Sequence, residues 1–95
     1  MSVGILRLSF RLPECHSLKE KRGRIKPVIA RLHREFNVSV AEVDDQDLWQ
    51  SCGLLVACAS GSGRQAEIVL TRVLQYLETH WPDLPLTDEQ IEIIN

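Results

Sequence analysis

At 95 residues the chain has room for one hydrophobic core and not for two. A hydrophobic fraction of 44% beside 25% charged residues excludes an intrinsically disordered chain. A formal net charge of −2 argues against a dedicated DNA binder, and no apolar run approaches the ~20 residues of a membrane span. The charge is nonetheless unevenly distributed. Residues 1–36 hold nine Lys or Arg against three acids, a formal +6, and residues 37–95 hold two against ten, a formal −8. The opening MSVGILRLSF has no basic leader region, so no signal peptide is expected. Three cysteines (Cys15, Cys52, Cys58), an odd number without metal-site spacing, are expected to be free thiols in a reducing cytoplasm.

Residues 3–12 alternate with period two. Leu6, Leu8, Phe10 and Leu12 fall on one face, and Val3, Ile5, Arg7, Ser9 and Arg11 on the other, so a strand is predicted up to Pro13. Ser17 to Glu20 spells a capping box and opens a helix whose apolar stripe is Leu18, Ile25, Val28, Ile29, Leu32 and Phe36. Pro27 lies inside it and removes the bond to the carbonyl of Gly23, which predicts a bend or a loosened turn. Asn37 is the expected C-cap. VSVAEV (38–43) reads as a second strand with a bulge near Ala41, and DDQD (44–47) as a turn. WQSCGLLVACAS (49–60) is apolar on both phases, the mark of a central strand covered on both faces. SGSGR is a loop, with a second capping box from Ser62 to Gln65. The helix behind it runs to about His80, with Ala66, Val69, Leu70, Val73 and Tyr76 or Leu77 inward. Trp81-Pro82 ends that helix, and LTDEQIEIIN is a short last strand.

The order is βαββαβ, so residues 1–95 are predicted to form a single α+β, ferredoxin-like domain, an antiparallel four-stranded sheet with two helices on one face. The first and third strands are expected in the middle, which agrees with the doubly apolar third strand.

A fold is not a function, and each occupation of this one needs its own residues. Iron–sulfur and soft-metal sites require paired cysteines, but the first loop offers only Cys15 followed by His16. RNA-recognition domains carry aromatics on the third strand, whereas Trp49 stands alone at its entrance. Acyl-phosphate hydrolysis needs a glycine- and arginine-bearing first loop, and LPECHS has neither. SGSGR lacks the phosphate-loop lysine and spacing. The acids at 42–47 lack the calcium-loop pattern, and His33 and His80 read as helix-surface residues. No nucleophile–base pair is visible, so no enzyme, cofactor or metal is expected.

One cluster resists a bland reading. HSLKEKRGRIK (16–26) holds five Lys or Arg, His16 and a single acid. Lys19, Lys21 and Arg22 sit in the first turn of a helix, where the macrodipole disfavours each cation by roughly 0.3–1 kcal/mol. Lys19, Arg22, Lys26 and His33 flank the apolar stripe, and Lys21 points nearest to it. Three explanations stay open: a solvated helix face, internal pairing with the 42–47 carboxylates, or an external phosphate.

HSLKEKR (16–22) followed by NVSVAEVDDQDLWQ (37–50) resembles the YlxP-like family, small bacterial proteins filed as a domain of unknown function. The resemblance covers essentially the whole chain. It implies the same fold and a cytoplasmic bacterial protein, encoded near translation initiation factor two and ribosome-binding factor A. The matching positions are Ser17 through Arg22, then Asn37, Ser39, Val40, Glu42, Val43, Asp47, Trp49 and Gln50. Cys15 and Asp45 do not match the pattern clearly.

Two expectations follow. The first is a non-enzymatic module that contacts ribosomal RNA or a ribosomal or translation protein. Lys19, Lys21, Arg22, Arg7 and Arg11 would bind phosphate, with Glu42, Asp47, Trp49 and Gln50 alongside. The second is a homodimer through the open sheet face, where Val3, Ile5, Leu55 and Ala57 would otherwise stay wet at a cost of about 25 cal/mol per Å².

Overall fold

A computed structural model describes residues 1–95. The elements are β1 (Ser2–Arg11), α1 (Leu18–Glu35), β2 (Ser39–Val43), β3 (Ser51–Ser60), α2 (Gly63–His80) and β4 (Leu86–Ile94). They form one sheet of order β2-β3-β1-β4, antiparallel at each pairing. The architecture is the predicted α+β, ferredoxin-like one.

Alternation decides which side of the sheet is covered. Leu6, Leu8 and Phe10 of β1 and Cys52, Leu54, Val56 and Cys58 of β3 point to the helices and are buried. Ile25, Val28 and Leu32 of α1 close on them, with Ala66, Leu70, Val73 and Leu77 of α2. Gly4 sets the closeness of α2, because a Cβ there would stand 2.9 Å from a Leu70 methyl and 3.1 Å from that of Ala66. Gly53 does the same between strands, where a Cβ would meet the Val43 carbonyl oxygen at 2.5 Å.

Both capping serines are in place. Ser17 Oγ accepts from Glu20 N at 3.1 Å, and Ser62 Oγ accepts from Gln65 N at 3.1 Å. Glu20 reaches back to His16 N (3.2 Å), one residue before the cap, which departs from the usual reciprocal box.

α1 runs through Pro27 as one helix, as the apolar register on both sides of the proline predicts. Pro27 and Gly23 are both exposed, so the freed carbonyl lies on the solvent side while the opposite face stays packed. Asn37 does not cap α1; Phe36 does, with extended backbone, its N–H bonded to Leu32 O at 3.0 Å. No bulge occurs near Ala41, where β2 pairs with β3 in uniform register. The irregularity falls in β4 instead. Ser9 pairs with Asp88 and Phe10 with Leu86, so Thr87 is the extra residue. β3 is central, as predicted, but only its helix-facing side is covered within the chain. Leu55 and Ala57 on the other side are half-buried. The last strand is nine residues long, and Ser2 Oγ donates to Asn95 Oδ1 at 2.6 Å beside its end.

Candidate functional site

The 44–50 loop and the start of α1 meet at one end of the domain, and Lys21 joins them. Its side chain is 1% exposed. Asp44 and Asp45 adopt left-handed backbone (φ 54° and 41°), a conformation Asp tolerates better than most residues. The loop therefore curls, Leu48 N bonds back to Asp45 O at 3.0 Å, and its carbonyls turn inward. Lys21 Nζ donates to Asp45 O (2.6 Å) and Leu48 O (2.8 Å) and lies 2.9 Å from Glu42 Oε2. The Glu42 contact is an ion pair without hydrogen-bond geometry, so the two carbonyls supply the directional bonds. A buried ammonium is tolerated only with such partners.

Further bonds fasten the same loop. Gln46 Nε2 donates to Glu42 O (2.9 Å), and Ser51 Oγ donates to Asp45 Oδ2 (2.9 Å). Gln50 Nε2 donates to the carbonyls of Pro13 and Cys15 (3.3 Å each), and Leu12 N donates to Gln50 O (2.9 Å). The loop thus presents Leu48 and Trp49, 53% and 50% exposed, on a fixed backbone. Beside them a cleft of about 390 Å³ is lined by Arg11, Asp47, Leu48, Trp49, Gln50 and Ser51. Asp47 also borders a second cleft with Leu18, Lys21, Arg22, Glu42 and Gln46, so Arg11 and Arg22 line different clefts that share Asp47.

The predicted site residues separate accordingly. Arg11, Asp47, Trp49 and Gln50 come together. Lys19 and Arg22 are exposed on α1 without an ion pair. Arg7 lies on the open sheet face, away from the helices and also without an ion pair. Lys21 is the correction. It cannot present its charge to an external phosphate, because burial and three internal partners consume it. Glu42 is its counter-ion. Of the three explanations for the basic cluster, internal pairing holds for Lys21, while Lys19 and Arg22 stay on the wet face.

Sequence reasoning missed Asp45, Leu48 and Ser51. A carbonyl acceptor leaves no trace in residue type, so only the paired aspartates hinted at a special backbone. It also missed His33, whose Nε2 accepts from Val40 N at 3.1 Å and ties α1 to β2. His80 stacks on Tyr76 at 3.9 Å between ring centroids.

The remaining reactive groups are held quiet. Cys15 is 1% exposed, and burial, with Glu14 and Glu20 nearby, raises its thiol pKa. Burial also pushes Cys52 up to about 12, with Glu42 adding to it. Neither favours the thiolate that nucleophilic chemistry needs. Arg24 Nη2 hydrogen-bonds Asp83 Oδ2 at 2.8 Å and holds that carboxyl below its ordinary value. No three His, Cys, Asp or Glu side chains gather as a metal site, and no helix is long and apolar enough to cross a membrane.

These features define a small ferredoxin-like domain whose β2–β3 loop is fastened to its first helix by a buried lysine. The family model described as protein of unknown function (DUF503) matches residues 3–91. The chain is also 38% identical over 76 residues to the uncharacterized protein YlxP of Bacillus subtilis (strain 168), covering 80% of this chain and 82% of that protein. It belongs to this YlxP-like family, DUF503.

Proposed function

We propose that the chain is a non-catalytic binding module of the cytoplasm that docks on ribosomal RNA or a ribonucleoprotein surface of the translation machinery. One observation carries the reading: half-exposed Trp49 stands beside Arg11, which has no ion pair, on a loop that buried Lys21 holds rigid. An aromatic ring next to a free guanidinium suits an unpaired base and its phosphate, and such stacking contributes about 1–3 kcal/mol per base. Lys19 and Arg22 extend the cationic surface around the α1 start. Asp44, Asp45 and Asp47 lie close by and limit it. Contacts from Arg11, Lys19 and Arg22 to single-stranded phosphates give a salt slope of about −2. Cosedimentation with ribosomal particles and filter binding to single-stranded RNA at low salt test the proposal. Trp49→Ala should weaken binding by about tenfold or more. No association by the wild-type protein at low salt refutes the reading.

A second reading is favoured by the apolar strip on the uncovered side of β1 and β3. There the chain self-associates as a homodimer. The two readings coexist, since Val3, Ile5, Leu55 and Ala57 of that strip lie apart from the loop tip and Arg11 alone borders both.

A further inference from the structure

We infer that the open sheet face packs against the same face of a second copy, with β1 of one protomer lying over β3 of the other. The inference rests on the self-association reading and adds to it the face, the register and the symmetry.

Side-chain size carries the register. On the open face the two central strands pair Val3 with Ala59, Ile5 with Ala57 and Arg7 with Leu55, whereas Gly53, opposite Ser9, is buried against Val43 O and Asp44. The β1 member is the larger each time. A two-fold running along the strands between β1 and β3 stacks each larger side chain on a smaller one. Val3 then meets the partner's Ala59, Ile5 the partner's Ala57 and the stem of Arg7 the partner's Leu55. Facing sheets interdigitate in this way when their strands stay roughly aligned. A two-fold centred on β1 would instead set Arg7 against its own copy, which like charge disfavours.

Area and charge select a second copy as the occupant. Four strands about 4.8 Å apart, with roughly nine residues at about 3.3 Å each, make a face of about 19 by 30 Å. Two such faces remove about 1,100 Å² from water, just above the roughly 1,000 Å² expected of a specific interface. Arg7 and Arg11 on β1 are balanced by Asp88 and Glu92, which the register places on the same face of β4. A polyanion laid across this face would meet both carboxylates, whereas a second copy meets a surface with no net charge. Arg7 pairs directly with Gln90, so Asp88 and Glu92 stand on its two diagonals, within reach of its long side chain. Closing the face would turn its guanidinium onto them while its stem stays in the apolar strip.

Sedimentation equilibrium and cysteine cross-linking test this arrangement. Cys15, Cys52 and Cys58 are at most 5% exposed and compete little with an introduced surface thiol. Ile5→Cys and Ala57→Cys chains, made separately and mixed under mild oxidation, should cross-link at least about tenfold faster with each other than either does with itself. Ile5→Asp should raise the dimer dissociation constant by about tenfold or more, with its far-UV circular dichroism unchanged. A wild-type chain that stays monomeric at the highest attainable concentration overturns both this inference and the self-association reading. A dimer indifferent to Ile5→Asp, or one without the mixed cross-link, overturns the face or the register alone. Loss of RNA binding on Ile5→Asp in a chain that is monomeric throughout assigns the face to nucleic acid and overturns the inference too.

Discussion

Replacing Lys21 by Met separates charge from shape. The methionine keeps most of the aliphatic stem in a site 1% exposed, but it removes the ammonium that bridges Asp45 O and Leu48 O and the counter-ion of Glu42. Hydrogen bonds from a charged donor contribute about 1.5–3 kcal/mol each. Deleting one partner of a buried ion pair costs about 3–5 kcal/mol. These figures overlap and do not add. Glu42 keeps 24% exposure and regains water when its partner leaves, which lowers the cost. The net expectation is a loss of about 2–4 kcal/mol. For a domain of this size that corresponds to a fall in melting temperature of very roughly 10–25 °C. Urea unfolding at neutral pH, followed by far-UV circular dichroism, measures it as a lower midpoint at unchanged slope. Glu42→Gln and the double variant complete a thermodynamic cycle. Their coupling should be small beside the Lys21→Met effect if the carbonyls carry the clamp. A Lys21→Met chain within about 0.5 kcal/mol of wild type would refute the reasoning, since that is the scale of a neutral surface change.

Other outcomes follow from the same geometry. Gly53→Ala places a methyl 2.5 Å from the Val43 carbonyl oxygen, and the β2–β3 pair should lose about 1–3 kcal/mol in urea unfolding. Cys52 titrates at about 12 in the folded chain, above its ordinary value of 9.0. Its contribution is therefore intact below pH 9 and lost as pH rises toward 12, with a slope of at most about 1.4 kcal/mol per pH unit. Cys52→Ala should show a shallower alkaline decline in urea midpoint than wild type, whatever its loss at neutral pH. Asp83 is shifted the opposite way by Arg24. Its contribution is present above the ordinary carboxylate value and lost as pH falls through the lowered folded value. Arg24→Met should consequently differ from wild type at neutral pH, and the difference should shrink in acid titrations of stability.

Much of the scaffold is legible in residue order because its signals are periodic. The alternation from Val3 to Leu12 places the buried and open faces of β1 correctly. Ser17 and Ser62 announce both helices through the local bonds they go on to make. The doubly apolar 54–59 run marks β3 as central, although only its helix-facing side is covered within the chain. The failures share a cause. Asn37 and Ala41 are read from local residue type and alternation, which carry no information about the observed cap at Phe36 or the uniform β2–β3 register. The Lys21 clamp was harder still, because its acceptors are main-chain oxygens that any residue supplies. What could be read was the angular position of Lys21 beside the apolar stripe, an odd place for an ammonium without partners inside. Arg7 shares a strand with the core yet faces away from it, so counting it with Lys19 and Arg22 merges two surfaces that the sheet keeps apart.

The placement of β1 has a consequence for how the chain is made. β1 occupies the interior of the sheet, flanked by segments made much later than itself: Val3 pairs with Ala59 on one side and Ile94 on the other. Its backbone has no native strand neighbour until β3 begins at Ser51, opposite Arg11, and its second flank closes only with β4. A nascent chain therefore carries β1 as an unpaired apolar ribbon while α1 and β2 are made, and the sheet is complete only once β4 has followed.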